Sequence, residues 1–530
     1  MSTTVVRGTR RVPRWLTSVV VSMVLLVVWE LLARLWLARL GVLAPPSGIV
    51  AELVRRPDLY LSNTLATGWI ALRGWFWGDL AAIVAAVLFV QLRVLERLFL
   101  RLALVVYCLP LVAVMPLLQL TFDPDTAKVV LSGLAVFFTT LVGTMLGLRS
   151  AAAGPLTLVR AWGGGRGAAL RFVRLPSGLP AILTGLQIGA AAATLGAVFA
   201  EFIGSEQGLG VLLINGLQML RQDQVYAVAV LATAMAGIPY LLLGLVRRIV
   251  APWSTAIADV PPAEPAARGS KPARAAAAIG WVLLSVAIVV IAWEAYLVAF
   301  QVSPFVGKNP IAVIGYLFSG PDAAAHRAAL IAGLGVTLLH AGVGYAAGLA
   351  IGVLAAVAFA TFPVVQIVLG PPAIALRSVP IIALIPILLL VFGRGLPGVV
   401  AITAIVTFFP TLAQTQLGLS RVPRDALALM HSYDASIPAM LWRLRLPAAL
   451  PSIFASARVA APTAVLGATL AEWLATGDGL GHLIVVSRSF SDYNQLWAAA
   501  MLLAIVSVLF YSLVSGAERL ALRRFAATDG

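Results

Sequence analysis

The side chains that could do chemistry in this chain are few, and most lie inside apolar runs. Glu201 and Glu472 each close such a run and are each followed seven residues later by Gly-Leu-Gly. An ionisable group at bilayer depth is costly and defaults to a functional candidate. Two readings are open for the pair: a gate or contact with an external protein, or an interfacial carboxylate that snorkels to water or caps a neighbour. Arg73 sits alone in another run and suits an anionic substrate, a nearby glutamate or the outer interface. Glu30 and Glu294 follow tryptophans, which points to packing or an interfacial anchor. Pro110, Pro116, Pro380 and Pro386 interrupt two further runs. Broken helices line many transport paths, and a simple kink is the alternative. His326, His340, His431 and His482 have no metal-ligand spacing. Cys108 is the single cysteine, so neither a disulfide nor a Cys-rich metal site is available. No nucleophile–base pairing is visible. The phosphate-binding pattern G-x-x-x-x-G-K-[ST] is absent, since the Gly-Lys at 307–308 runs into Asn-Pro.

The elements that must position these residues are membrane spans. Of 530 residues, 61% are hydrophobic and 11% charged, against about 25% charged in soluble domains. Mean hydropathy is +0.99. The formal net charge of +16 sits in short clusters between apolar runs, which argues for a membrane protein and against nucleic acid binding. A span needs about 20 mostly apolar residues. In the first half such runs fall near 15–38, 64–91, 99–121, 127–148, 179–203 and 225–246. In the second they fall near 276–300, 330–358, 364–392, 398–419, 450–474 and 496–517. The first run is too long for a cleaved signal and reads as a retained span. Arginines gather before span one, after span two, between spans four and five, in the middle and at the end. By the positive-inside rule that side is cytoplasmic, with both termini on it, despite Arg34 and Arg39 near the other end of span one. The sequence therefore divides into a unit at 1–250, a Pro- and Ala-rich cytoplasmic linker at 251–275, and a unit at 276–530.

The two units are copies. A shift of 271 residues pairs "RLPSGLP" at 174–180 with "RLPAALP" at 445–451, and Ala200-Glu201 with Ala471-Glu472. It also pairs Gly208-Leu209-Gly210 with Gly479-Leu480-Gly481. A shift of 270 pairs "LPLVAVMPLL" at 109–118 with "VPIIALIPIL" at 379–388, and Gly74 and Gly78 with Gly344 and Gly348. This is an internal duplication. Units with an even number of spans face the same way and are related by an axis along the membrane normal, where a pathway is expected.

The loop before the twin prolines is the most informative. Ser436 is expected to cap a short helix with Pro438 in its first turn. Ile437, Met440, Leu441 and Leu444 then share a face, away from Arg443 and Arg445. Leu446-Pro447, like Leu175-Pro176, is expected to end that helix, because the residue before proline is pushed out of the α region. The pattern predicts helix, corner, span.

A loop of the form G-x11-L-P, then a span ending A-E-[FW]-[IL], then G-L-G, resembles the permease subunits of binding-protein-dependent ABC importers. "RSVPIIALIPILLLVFG" at 377–393 and "AEFIGSEQGLGVLL" at 200–213 are similar to the nitrate/sulfonate/taurine group. The resemblance covers nearly the whole chain, once per half. It implies an all-α polytopic membrane protein of about twelve transmembrane helices in two parallel six-helix repeats, the type I importer permease fold. It implies loop helices near 163–175 and 434–446 that dock two ATPase subunits, through Gly163, Arg166, Arg171, Arg174, Leu175 and Pro176, and through Asp434, Ser436, Arg443, Arg445, Leu446 and Pro447. The ATP and Mg²⁺ would belong to those partners, with no cofactor in this chain, and an external binding protein would deliver solute. The implied solute is a small oxyanion; related branches carry pyrimidine vitamin precursors or riboflavin. The family's usual Glu-Ala-Ala is replaced by Thr157-Leu158-Val159 and Ala428-Leu429-Met430, and Asp434 replaces the glycine, so the two docking sites are expected to be unequal. An ion-coupled carrier of two parallel six-span halves is the reading of another class; it calls for paired mid-membrane charges.

Overall fold

A computed structural model describes residues 14–37, 44–108, 111–119, 121–219, 221–255, 271–362, 364–370 and 381–526. These residues are helical, with no strand among them. The first unit runs α1 Arg14–Leu32, α2 Pro46–Arg55, α3 Pro57–Gln91, α4 Arg93–Cys108, α5 Leu111–Leu118, α6 Pro124–Arg149 and α7 Ala153–Ala161. It continues with α8 Arg166–Gly204, α9 Leu209–Gln218 and α10 Gln222–Val250. The second runs α11 Lys271–Ala299, α12 Pro310–Phe318, α13 Ala323–Thr361, α14 Ile381–Phe392, α15 Leu396–Ser420 and α16 Arg424–Ser432. It closes with α17 Ile437–Leu474, α18 Gly479–Ser489 and α19 Tyr493–Ala526.

Eight of the twelve expected spans are single helices long and apolar enough to cross a membrane: α3, α6, α8, α10, α13, α15, α17 and α19. The other four are the first and third of each unit. They correspond to α1 with the π-helical turn Ala33–Leu37, to α4 and α5, to α11, and to the segment ending in α14. Pro116 lies within α5 and Pro386 within α14, whereas Pro110 and Pro380 fall outside the described residues. Of the expected linker, 256–270 lies outside the described residues, and α11 already begins at Lys271.

Each unit is built on three mutually packed spans, α3 with α6 and α8, and α13 with α15 and α17. Lipid tails are as apolar as leucine, so helices in a bilayer associate through close packing of small residues. Gly78 lies on Gly133, where a Cβ would stand 2.6 Å from the carbonyl oxygen, and Gly348 lies equally close on Ala404 and Thr407. The first helix of the second unit crosses to the first unit: α11 packs on α4, the Tyr296 and Thr121 hydroxyls hydrogen-bond, and Phe300 meets Phe122 edge-on at 5.1 Å.

The expected corner at Leu-Pro is absent. Leu175 and Leu446 are both in the α region, at φ/ψ of −64°/−48° and −66°/−47°. The loop helix runs without a break into span five, through a π-helical turn at Leu170–Arg174 and again at Leu441–Arg445. A proline ring in a helix loses one hydrogen bond and crowds a carbonyl one turn back. The wider π turn directly before it takes up both penalties, a substitution the local preference of a pre-proline residue does not anticipate.

Candidate functional site

Both loops present an apolar, solvent-facing knuckle. Helix α7 ends at Trp162 and α16 at Tyr433, equivalent positions that are 84% and 78% exposed. The next residue turns left-handed in both copies: Gly163 at φ +75° and Asp434 at φ +45°. The turn closes alike in both, by Gly164 N–H to the Val159 carbonyl and Ala435 N–H to the Met430 carbonyl, at 2.8 and 3.1 Å. The substitution that was expected to make the sites unequal therefore leaves the backbone the same. Aspartate is among the few side chains that enter this region, at a cost glycine does not bear. Asp434→Gly is expected to stabilise the protein by about 0.5–1 kcal/mol, read as a higher unfolding midpoint; a lower midpoint contradicts it.

Ser436 accepts from Ala439 N–H at 3.4 Å and Pro438 stands in the first turn. Met440 is buried, and Leu441 and Leu446 pack with Phe359. Ile437 departs from the expected shared face: it is exposed beside Tyr433, because the helix start turns it outward. Arg443 and Pro447 are exposed, whereas Arg445 Nη1 donates to the Ala360 carbonyl at the end of α13, 3.1 Å away. In the first loop Arg166 pairs with the Gln91 backbone, Arg171 lies over the Phe172 ring, Pro176 is exposed, and Arg174 and Leu175 are half-buried. Trp162, Phe172, Tyr433 and Trp442 are the exposed apolar side chains that the sequence reading did not single out.

At the opposite end of α8 and α17, the units meet through aromatic rings. Phe202 and Trp473 are equivalent residues, 271 apart, and their rings touch edge-on at 5.2 Å. Residues related by a twofold can touch only across its axis, so this pair marks the axis. Phe199 adds a second edge-on contact with Trp473 at 5.9 Å. Phe199 and Phe202 are buried. Pro116 in α5 is buried beside Met115, near α8 and α17. The rings meet on the axis at that end. The aromatic in A-E-[FW]-[IL], at the same place in both copies, was the signal in the sequence.

Glu201 and Glu472 each cap the short helix that follows their span. Glu201 Oε2 accepts from Gly210 N–H and Thr67 Oγ1, at 3.0 and 2.8 Å. Thr67 Oγ1 accepts in turn from Leu209 N–H, and Asn63 Oδ1 from Gly208 N–H. The orphan donors at the start of α9 are thus satisfied by side chains of α3 and α8. Glu472 repeats this with Gly481 N–H, with Thr337, and with His340 Nδ1 at 2.9 Å. Gly208 and Gly479 have φ of +123° and +86°, and a Cβ at either would collide with the carboxylate. His340 is matched by Ile70 in the first unit, and Glu201 Oε1 accordingly has no partner. Both carboxylates bind within their own unit and tie span two, span five and the short helix together.

Arg73 lies over the Trp69 ring at 5.5 Å, with no carboxylate at ion-pair distance among the described residues. Glu30 pairs with Arg34 and accepts from Ser47, stapling α1 to α2; Glu294 is exposed. Asp79 was passed over in the sequence, although a carboxylate inside span two is a visible signal. It is buried against α6 and α8, with Thr140 Oγ1 donating to Oδ1 at 2.6 Å, and Leu349 replaces it in the second unit. Among the described residues no cluster of three or more His, Cys, Asp or Glu side chains could hold a metal ion.

Two like units of bilayer-length helices, in contact on their common axis at one end and extending paired loop helices at the other, define the membrane component of a transporter, built as an internal dimer. The family model described as "Binding-protein-dependent transport system inner membrane component" matches residues 78–255 and again 348–526, and the chain belongs to this family. A "Probable ABC transporter permease protein" of Haemophilus influenzae is 28% identical over 229 residues, 43% of this chain and 91% of the relative. The formylaminopyrimidine transport permease protein of Halalkalibacterium halodurans is 30% identical over 189 residues, 36% of this chain and 76% of the relative. The taurine transport system permease protein of Escherichia coli is 30% identical over 241 residues, 43% of this chain and 86% of the relative. Most of each relative is matched by less than half of this chain, so one relative corresponds to one unit. The chain is an ABC importer permease component with the type I importer fold, and ATP hydrolysis belongs to a separate subunit. Membership rules out the ion-coupled carrier as its class.

Proposed function

We propose that this chain forms the whole membrane passage of its importer, with one ATPase subunit at each loop knuckle and an external binding protein at the aromatic end. The observation that carries this reading is the contact between Phe202 and Trp473, which puts both permease copies around one axis within a single polypeptide. The arginine-rich loops, the linker at 251–275 and both termini are placed in the cytoplasm. ATP and Mg²⁺ are held by the ATPase subunits. Because each loop helix is continuous with the span that bears Phe202 or Trp473, closure of the ATPases is transmitted to the aromatic end along a single helix. The spans then alternate between outward and inward access.

The solute is proposed to be a small oxyanion of the sulfonate, nitrate or taurine type. Arg488 supports this. It is half-buried between the units, its Nη2 donates to Gln119 Oε1 at 2.9 Å, and no carboxylate pairs with it among the described residues. A pyrimidine vitamin precursor or riboflavin is the second reading, favoured by the ring-lined closure and by relatives named for formylaminopyrimidine and riboflavin. In proteoliposomes with the ATPase and the binding protein, Arg488→Gln is expected to lower ATP-driven taurine or nitrate uptake about tenfold, the loss of one charge-assisted hydrogen bond. ATP-driven uptake of riboflavin with none of either anion overturns the substrate. Uptake driven by an ion gradient without the ATPase overturns the mechanism.

A further inference from the structure

The two units differ where span three begins and span four ends, beside the loop. In the first unit Glu96 and Arg149 form an ion pair there. The equivalent residues of the second unit are Gln366 and Ser420. A cleft of about 510 Å³ opens at that place, walled by Phe359 and Leu417 and floored by Gln366, Gln416, Ser420 and Arg445. Among the described residues no carboxylate lines it. Arg445 uses one N–H on the Ala360 carbonyl, and a guanidinium has five.

We propose that this cleft binds the headgroup of an anionic phospholipid from the cytoplasmic leaflet. The volume suits a headgroup with its glycerol. The guanidinium fork matches a phosphate, and the two amides and the hydroxyl match glycerol oxygens. The apolar walls, with Leu417 exposed at the end of α15, match the first carbons of an acyl chain. A free phosphate would leave those walls wet, which selects the lipid as the source of the anion. Arg445 belongs to the π turn of the second loop helix, so an occupied cleft braces the second loop; in the first unit the Glu96–Arg149 pair takes the equivalent place. The sidedness and the loop's role rest on the function proposed above; the binding itself does not.

The test uses the full chain in detergent, titrated with phosphatidylglycerol or phosphatidylcholine and read by native mass spectrometry. One phosphatidylglycerol is expected to be retained with about fivefold preference over phosphatidylcholine, the effect of one well-placed cation. Gln366→Glu with Ser420→Arg installs the first unit's ion pair and is expected to abolish that preference. Glu96→Gln with Arg149→Ser does the reverse and is expected to add a second retained phosphatidylglycerol, which keeps the test alive if the first variant misfolds. Equal retention of both lipids by the natural chain overturns the proposal, as does unchanged preference in the filled variant. Displacement of the lipid by millimolar inorganic phosphate overturns the lipid as the ligand. No ATPase or substrate enters the measurement, so its failure and a failure of the transport reading are separable.

Discussion

Replacing Phe202 and Trp473 together by alanine is expected to open the passage at its outer end. Large aromatic side chains in packed sites cost about 3–5 kcal/mol each when cut to alanine. Only the conformation in which the rings touch bears that cost, so the balance shifts toward the outward-open arrangement. A shift of about 3 kcal/mol is more than a hundredfold in population. The complex should hydrolyse ATP at a high rate without binding protein, and proteoliposomes should leak solute without ATP. The single variants should show smaller effects of the same sign, Trp473→Ala the larger, since that ring touches both Phe199 and Phe202. A tight, normally stimulated double variant would mean that the closure lies elsewhere.

Glu472→Ala is expected to be among the most destabilising single changes in the chain. It strands the Gly481 N–H, the Thr337 hydroxyl and His340 Nδ1, all buried. An abandoned buried partner costs about 1–3 kcal/mol, which gives a total of about 3–5 kcal/mol once relaxation is allowed for. Glu201→Ala strands the Gly210 N–H, while Thr67 Oγ1 can still donate to the Asn63 carbonyl, and should cost less. Glu201→Gln should cost less than Glu472→Ala, since one amide oxygen can replace Oε2 and only the amide N–H groups at the Oε1 position lack a partner. Thermal unfolding in detergent reads all three. Equal losses in Glu472→Ala and Glu201→Gln would show that the carboxylates act through charge, and not as caps.

The duplication, the spans and the loop pattern were legible because they are periodic or repeated. Ser436 announced its cap through chemistry that acts within three residues. What the sequence hid depends on neighbours. Leu175-Pro176 carries a strong local signal for a break, and only the π turn before it, kept by tertiary packing, overrides that signal. Thr67 and Glu201 are 134 residues apart, and nothing in either run says that the hydroxyl bridges the carboxylate to Leu209. Phe202 and Trp473 looked like ordinary span residues until the axis brought them together. Asp79 was visible as a charge in an apolar run, but its burial against Gly189 belongs to packing.

The meeting of Phe202 with Trp473 carries a consequence for how such a machine diverges. In a dimer of identical chains a residue on the axis faces its own copy, and every mutation strikes both sides at once. Here a phenylalanine faces a tryptophan, a pairing that no homodimer can encode. Covalent fusion has released the two halves from each other's genetic constraint. Ile70 opposite His340, and the Glu96–Arg149 pair opposite Gln366 and Ser420, are differences of the same kind. A stroke delivered to unequal halves has an order, and one side can be the first to yield.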